Sequence, residues 1–479
     1  VNLVLISAVL VAAAWAAPPN RQLQELVDSG ALSDLRWPNF TRVQADVTRF
    51  YDLNDYQPVW TRNGDATPQA QALIGVLENA ALKGLDAEDY DGSRWNSRLS
   101  HLRTDAEANR FDLALTISAM RYISDVSSGK VDPKVFSFGL HFDIKNCDLG
   151  ETIRKLVSSS DVAADLDRVE PPFEGYWRTQ KALAHYLELS REATLTQRNT
   201  SLAKQVRKLQ LVLERWRWAP HSFPRPPIVV NIPEFKLRAY DDRYRPELEM
   251  KVVVGKAYRH KTPVFSGSIT HLIFRPYWDV PLSIQRAELV PKVAKDPAYL
   301  AKNDYEVVNV ERQVVSSSSV SADMLAQLRS GKLLIRQIPG DKNALGPVKF
   351  LFPNEYNVYL HGTPVKSLFL KSRRDFSHGC IRVEKPEELA QWVLRDLPGW
   401  DMDHIREAEN GADSHRVNLD KPIPVLIVYG TAVVREDGEV SFYDDIYGHD
   451  AELERLLDHG YPYSGWQPTS AARDPHPRE

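Results

Sequence analysis

Ser377-His378-Gly379-Cys380-Ile381-Arg382, with His361-Gly362-Thr363 upstream, places one thiol and two imidazoles within twenty residues. A cysteine attacks acyl groups as its thiolate, so it needs a base or cation nearby and a position that substrate can reach. Cys380 is the candidate nucleophile. His361 is too far along the chain to share a helical face with it but is easily joined to it by two neighbouring strand ends, and is assigned as the base that takes the thiol proton and later returns it to the leaving amine. His378 is the rival base. On an extended segment its side chain shares a face with Cys380, which suits orienting or contacting substrate better than facing the sulfur. Gly379 permits a tight turn, and amide N–H groups around Gly379 and Cys380 are candidate donors to an oxyanion. Ser377, His378 and Arg382 are candidate substrate contacts. Arg382 either pairs bidentately with a substrate carboxylate or forms a surface ion pair with Glu384 or Glu387.

No Cys-x-x-Cys or His-x-x-x-His spacing occurs, so neither a metal nor a cofactor is expected. The chain has 2 cysteines. Cys147 lies in a polar Lys145-Asn146-Cys147-Asp148 stretch, and a bridge to Cys380 would consume the nucleophile, so both thiols are expected free.

The elements that must hold these residues fall into two halves. A chain of 479 residues exceeds what one hydrophobic core organises, and two or three domains are expected. A net charge of −4 provides no general attraction to nucleic acid. Residues 3–17 form an apolar run of signal-peptide length ending in small residues, so 1–17 is expected to be a cleaved leader and the mature protein to be exported and soluble, with no transmembrane helix. Residues 20–195 read as a helical scaffold domain, with apolar stripes over 68–82 and 111–126. A linking helix and Pro-rich joint occupy 196–227, with Leu202, Val206, Leu209, Leu213 and Trp216 at helical spacing over 199–218. From 228 to 450 the period becomes strand-like, with runs at 228–232, 236–240, 248–254, 268–274, 348–352 and 356–360, the last leading into His361, and a final strand at 424–429. Residues 281–345 interrupt this pattern with helical pieces at 284–295 and 323–331, which reads as a lid. Residues 451–479 are assigned a helix and a disordered tail. The fold class is α+β and multidomain: a helical scaffold followed by a β-rich catalytic domain with an inserted capping subdomain.

His361, fifteen spacer residues and Ser377 to Arg382 resemble the catalytic motif of L,D-transpeptidases of the YkuD type. Glu214-Arg215-Trp216-Arg217-Trp218, Val229-Val230-Asn231-Ile232-Pro233, Asn343-Ala344-Leu345-Gly346 and Asn357-Val358-Tyr359-Leu360-His361 resemble the large YcbB-like branch, and Tyr122, Asp125, Gly129 and Pro133 resemble its scaffold. The chain departs from that branch in one respect: residues 173–201 carry none of the marks of its small peptidoglycan-binding module. The resemblance implies that Cys380 attacks a tetrapeptide stem, expels the terminal D-Ala, and passes the acyl group from its thioester to the side-chain amine of a second stem as a 3→3 cross-link. It also implies that the backbone carbonyl of Gly362 orients His361, that Trp278 lines the substrate, that carbapenems acylate the same thiol, and that glycan polymerases and D,D-carboxypeptidases are partners.

Two other readings compete with cross-linking. An L,D-carboxypeptidase or amidase would hydrolyse the same thioester, and a wall-binding scaffold would keep the fold without the chemistry. A papain-like peptidase places its Cys before its His, opposite to the order here. The lid favours transfer, because an amine must outcompete water for the thioester.

Overall fold

The computed structural model describes residues 19–140, 147–194 and 200–461. The expected leader, the C-terminal tail beyond residue 461 and part of the stretch around Cys147 lie outside these. The chain divides into two compact units, one comprising 1–130, 145–171 and 460–479, the other 131–144 and 172–459.

The first unit is helical and is built around α1 (Asp105–Ser128). Its start is fixed by a capping box: the Thr104 hydroxyl accepts from the Glu107 N–H, and the Glu107 carboxylate accepts from the Thr104 N–H at 2.9 Å. Such a cap is worth about 1 kcal/mol. Leu113, Ile117, Met120 and Ile123 are fully buried among the apolar faces of shorter helices such as Arg21–Asp28 and Pro68–Glu78. Asp112 is buried at the centre, where it accepts from the Tyr51 hydroxyl at 2.7 Å and from the Val59 and Trp60 N–H groups at 2.8 and 2.6 Å. A buried carboxylate is tolerated when donors surround it in this way.

The helical region does not end as a single domain at residue 195. Helix α2 (Glu174–Thr194) belongs to the second unit, where it packs antiparallel on α3 (Thr200–Arg217). Tyr176 and Leu183 of α2 share a buried cluster with Val206, Leu209 and Leu213 of α3, the stripe legible in the sequence. Residues 131–140 also join this unit, and Gly139 bridges to Phe265.

The rest of the second unit is a closed β-barrel: β1 (Ile228–Asn231), β2 (Lys236–Tyr240), β3 (Pro246–Gly255), β4 (Phe265–Phe274), β5 (Val348–Leu351), β6 (Leu360–His361), β7 (Ile381–Val383) and β8 (His415–Val428). The ladder runs β3-β7-β6-β5-β4-β8-β1-β2 and returns to β3, with Asp375–Ser377 alongside β3. Only β6–β7 and β8–β1 among the barrel pairs are parallel. Alternate residues Val348, Phe350, Leu360, Ile381 and Val383 are fully buried inside, as a half-covered strand pattern requires. The expected strand at 356–360 is shorter than the sequence suggested. Asn357 adopts φ +54, a left-handed turn that Asn tolerates better than most residues, and only Leu360–His361 remain extended.

The lid is a subdomain with its own core. Strands Trp278–Asp279, Tyr305–Val308, Val314–Ser316 and Leu334–Gln337 form a four-stranded sheet that the sequence reading did not anticipate. Against it pack the helical stretch Leu282–Lys295, with a π-helical turn at Gln285–Leu289, and the helix Ala322–Ser330. Buried Gln285 clasps them together, donating to the Leu328 and Leu333 carbonyls at 2.8 and 3.0 Å and accepting from the Ile335 N–H at 2.8 Å. Among the described residues no helix is long and apolar enough to cross a membrane.

Candidate active site

Sheet register assembles the site. Lys349 on β5 pairs with His361 on β6, and His361 pairs with Arg382 on β7, so three polar side chains form a row on the outer barrel face. One step back along the parallel pair, the Tyr359 carbonyl accepts the Ile381 N–H at 3.1 Å, which sets Tyr359 beside Cys380. Tyr359 and His361 contact each other with ring centroids 5.7 Å apart, and the Lys349 ammonium lies 5.7 Å from the Tyr359 ring.

His361 is buried at 4% exposure. Its Nδ1 lies 2.6 Å from the Gly362 carbonyl. A carbonyl can only accept, so Nδ1 carries the proton and Nε2 is left as the basic nitrogen. Burial, then the neighbouring Arg382 guanidinium, depresses the imidazole to about 3, against the opposing pull of the Gly362 and Leu345 carbonyls. The Cys380 thiol is pushed above its ordinary value, again by burial first. The Tyr359 N–H and hydroxyl, Arg382 and Lys349 favour the thiolate without overcoming that burial. Thiol and imidazole are therefore both neutral at rest. A nucleophilic role for this sulfur would require the proton to cross as it attacks, rather than being removed beforehand.

Cys380 is part-exposed, and its Sγ donates to the Asn357 carbonyl at 3.7 Å. Tight bonds fix the turn before it: the Ser377 hydroxyl donates to the Cys380 carbonyl at 2.5 Å, and the Thr262 hydroxyl donates to the Gly379 carbonyl at 2.7 Å. Gly379 sits at φ +116, which a side chain would strain.

The geometry changes several expected roles. Gly379 supplies the turn, but its N–H donates to the Ser377 hydroxyl at 3.1 Å, so of the two expected oxyanion donors only the Cys380 N–H stays a candidate. Ser377 is 2% exposed and braces the turn instead of offering its hydroxyl to substrate. The bend at Gly379 also breaks strand alternation, so His378 turns toward the lid, where its Nε2 lies 2.7 Å from Glu288 in the π-helical turn and its ring lies 4.9 Å from that of His260. Trp278 packs into the lid core, 6.3 Å from Tyr305. Its neighbour Asp279 is paired with Arg312 at 2.8 Å and acts electrostatically on Lys349 and Tyr359.

Arg382 fits the substrate reading. Glu384 engages Lys251 and Glu387 engages Arg406, while the Arg382 Nε is buried with no hydrogen-bond partner among the described residues. A guanidinium with an unpartnered buried N–H beside a candidate nucleophile suits an incoming carboxylate. Tyr359, Lys349, Asp279 and Glu288 escaped the sequence reading, since only register and the lid bring them here. Cys147, in the other unit, has its sulfur 3.1 Å from the Thr152 hydroxyl.

Two family models match the chain: a Scaffold domain over residues 45–183 and an L,D-transpeptidase catalytic domain, YkuD, over 225–434. Among curated proteins the chain is similar to a "Putative L,D-transpeptidase" of Haemophilus influenzae, 31% identical over 282 residues, covering 58% of this chain and 53% of that protein. The chain thus matches about half the length of that relative.

Proposed function

We propose that this chain, which matches the YkuD L,D-transpeptidase catalytic domain over residues 225–434 and the Scaffold domain over 45–183, cross-links peptidoglycan stems in the periplasm through a thioester on Cys380. The observation that carries this reading is the row His361–Arg382 beside Cys380: a basic Nε2, a cation with an unpartnered buried N–H and a reachable sulfur on one barrel face. Arg382 holds a stem carboxylate and sets the carbonyl of the acyl-donor residue against Sγ. As the C–S bond forms, the thiol proton passes to His361 Nε2, and the Cys380 N–H steadies the oxyanion. Collapse of that intermediate breaks the C–N bond to D-Ala, whose amine leaves with the proton from His361. A side-chain amine of a second stem then attacks the thioester, giving up its proton through His361 as the sulfur departs as a thiol. The product is a 3→3 cross-link.

Purified protein incubated with tetrapeptide-bearing muropeptides should yield dimers. Tripeptide monomers alone would establish hydrolysis instead. A carbapenem should add covalently to the intact protein and fail to do so in Cys380→Ala. His361→Ala should retain the sulfur but slow the adduct by about a hundredfold or more, the usual range for a lost general base.

A further inference from the structure

On the barrel surface formed by β8, β1 and β2, a cavity of about 770 Å³ opens beneath the start of α2, the end of α3 and the hairpin Ala432–Val434/Val440–Phe442. It shares no residue with the site around Cys380. Its size is that of a ligand site, of about 300–1,000 Å³. One end is an aromatic wall in which Phe173 lies 5.8 Å from Trp216, 6.0 Å from Phe223 and 5.2 Å from Tyr244. The floor is charged but internally paired. Arg238 grips Glu234 through two nitrogens at 2.5 and 2.7 Å and meets Glu249 at 2.8 Å, while Lys236 meets Glu249 at 2.5 Å. At the rim Arg178 holds Glu174 at 3.0 Å. Cationic and anionic lining residues are equal in number. Among these pairs stands Tyr240, whose hydroxyl makes no hydrogen bond among the described residues.

This chemistry excludes most ligand classes. An anion would have to displace a carboxylate from Lys236 or Arg238 on the floor, whereas the buried Nε of Arg178, on a guanidinium already paired with Glu174, is a donor left without a partner among the described residues; a purely apolar molecule would desolvate the ion pairs without replacing their water. A peptide strand finds no free edge on the floor, because the barrel ladder is closed. What remains is an uncharged molecule with a flat apolar face for the rings and a rim of hydroxyls or amides for the paired charges. We propose that the cavity binds an uncharged N-acetyl-amino-sugar segment, stacked on the aromatic wall and hydrogen-bonded to Tyr240 and Arg178. Equating this segment with the cell-wall glycan rests on the function proposed above; the preference for a neutral sugar does not. On that equation the catalytic unit itself holds the polymer whose stems it joins.

Titration calorimetry of the full chain with chitotetraose should show saturable binding. Tyr240→Phe, which deletes only a hydroxyl, should weaken it roughly fivefold, as one lost hydrogen bond would. Val229→Tyr, which fills the floor, should abolish it, and both variants should keep carbapenem acylation of Cys380. No saturable binding at millimolar sugar, undiminished binding in both variants, or tighter binding of tetragalacturonate would overturn the inference. Sugar binding by a chain that forms no muropeptide dimers would support the cavity assignment while removing the proposed reaction.

Discussion

At Cys380 burial and charge pull in opposite directions, and their balance predicts a pH profile. The thiol lies above its usual value and His361 is depressed to about 3, so neither changes its protonation between about pH 5 and 7. Single-turnover acylation by a carbapenem should therefore run flat across that window. An inflection near the ordinary histidine value of about 6.5, persisting in His378→Gln, would show that His361 titrates normally and that the neutral-pair description is wrong. Lys349 offers a second test at the same scale. It stands beside His361 on β5, two strands from β7, and its own ammonium is destabilised mainly by burial. Lys349→Met should raise the thiol further and slow acylation. Alkylation rates measured against pH would show the shift, and an unmoved profile would remove Lys349 from the site. Cys380 and His361 were legible in the sequence because their chemistry is specific to few residue types and their spacing fits two strand ends. Lys349 and Tyr359 were not, because neither type signals a role until register sets one opposite His361 and the other beside the sulfur.

Elements show the same division. The stripe on α3 was legible because Leu209 and Leu213 are wholly buried at helical spacing. The expected strand before His361 failed at Asn357, where a local left-handed turn overrode apolar alternation and aimed a carbonyl at the thiol. In the lid, helical periods were visible but the four short strands between them were not, since runs such as Val314–Ser316 are too brief to display alternation. The lid also carries the element-scale prediction. The π-helical turn sets Glu288 against His378, one residue before Gly379, and this contact ties the inserted subdomain to the turn that leads into Cys380. Both groups are part-exposed, so the fastening is worth up to about 1 kcal/mol, or about a fivefold change in the open population. Glu288→Gln should shift thioester partitioning toward tripeptide monomer by up to about that factor, with the carbapenem adduct still forming. An unchanged ratio of dimer to monomer would mean that this contact does not govern water access.

At the scale of the whole molecule, burial shifts chiefly histidines in one unit and aspartates in the other, which gives the two units opposing pH slopes. The sequence misplaced their boundary because helical periodicity is the same on both sides of it, and nothing local reveals that Tyr176 and Leu183 face α3. The consequence is thermodynamic. In the catalytic unit His361 is held to about 3 and His449 to about 4, both chiefly by burial. Between about pH 6.5 and pH 4 the unfolded chain binds protons that these rings refuse, so the unit loses stability as pH falls, by up to about 1.4 kcal/mol per pH unit for each ring. Glu409, raised to about 7 by burial and then by Glu387, acts in the reverse direction and offsets one of the two. In the scaffold unit Asp112 is raised to about 7 and Asp125 is also raised, both by burial first. There the folded state keeps protons that the unfolded chain releases above about pH 4, so stability is present in acid and lost as pH rises toward 7. Peptide-resolved hydrogen exchange, corrected for intrinsic rates, should show scaffold peptides better protected at about pH 5 than at about pH 7, and catalytic-unit peptides the reverse. Asp112→Asn, which fixes the neutral state, should flatten the scaffold slope alone. Parallel slopes in both units would mean that the three donors around Asp112 hold it ionised, outweighing its burial.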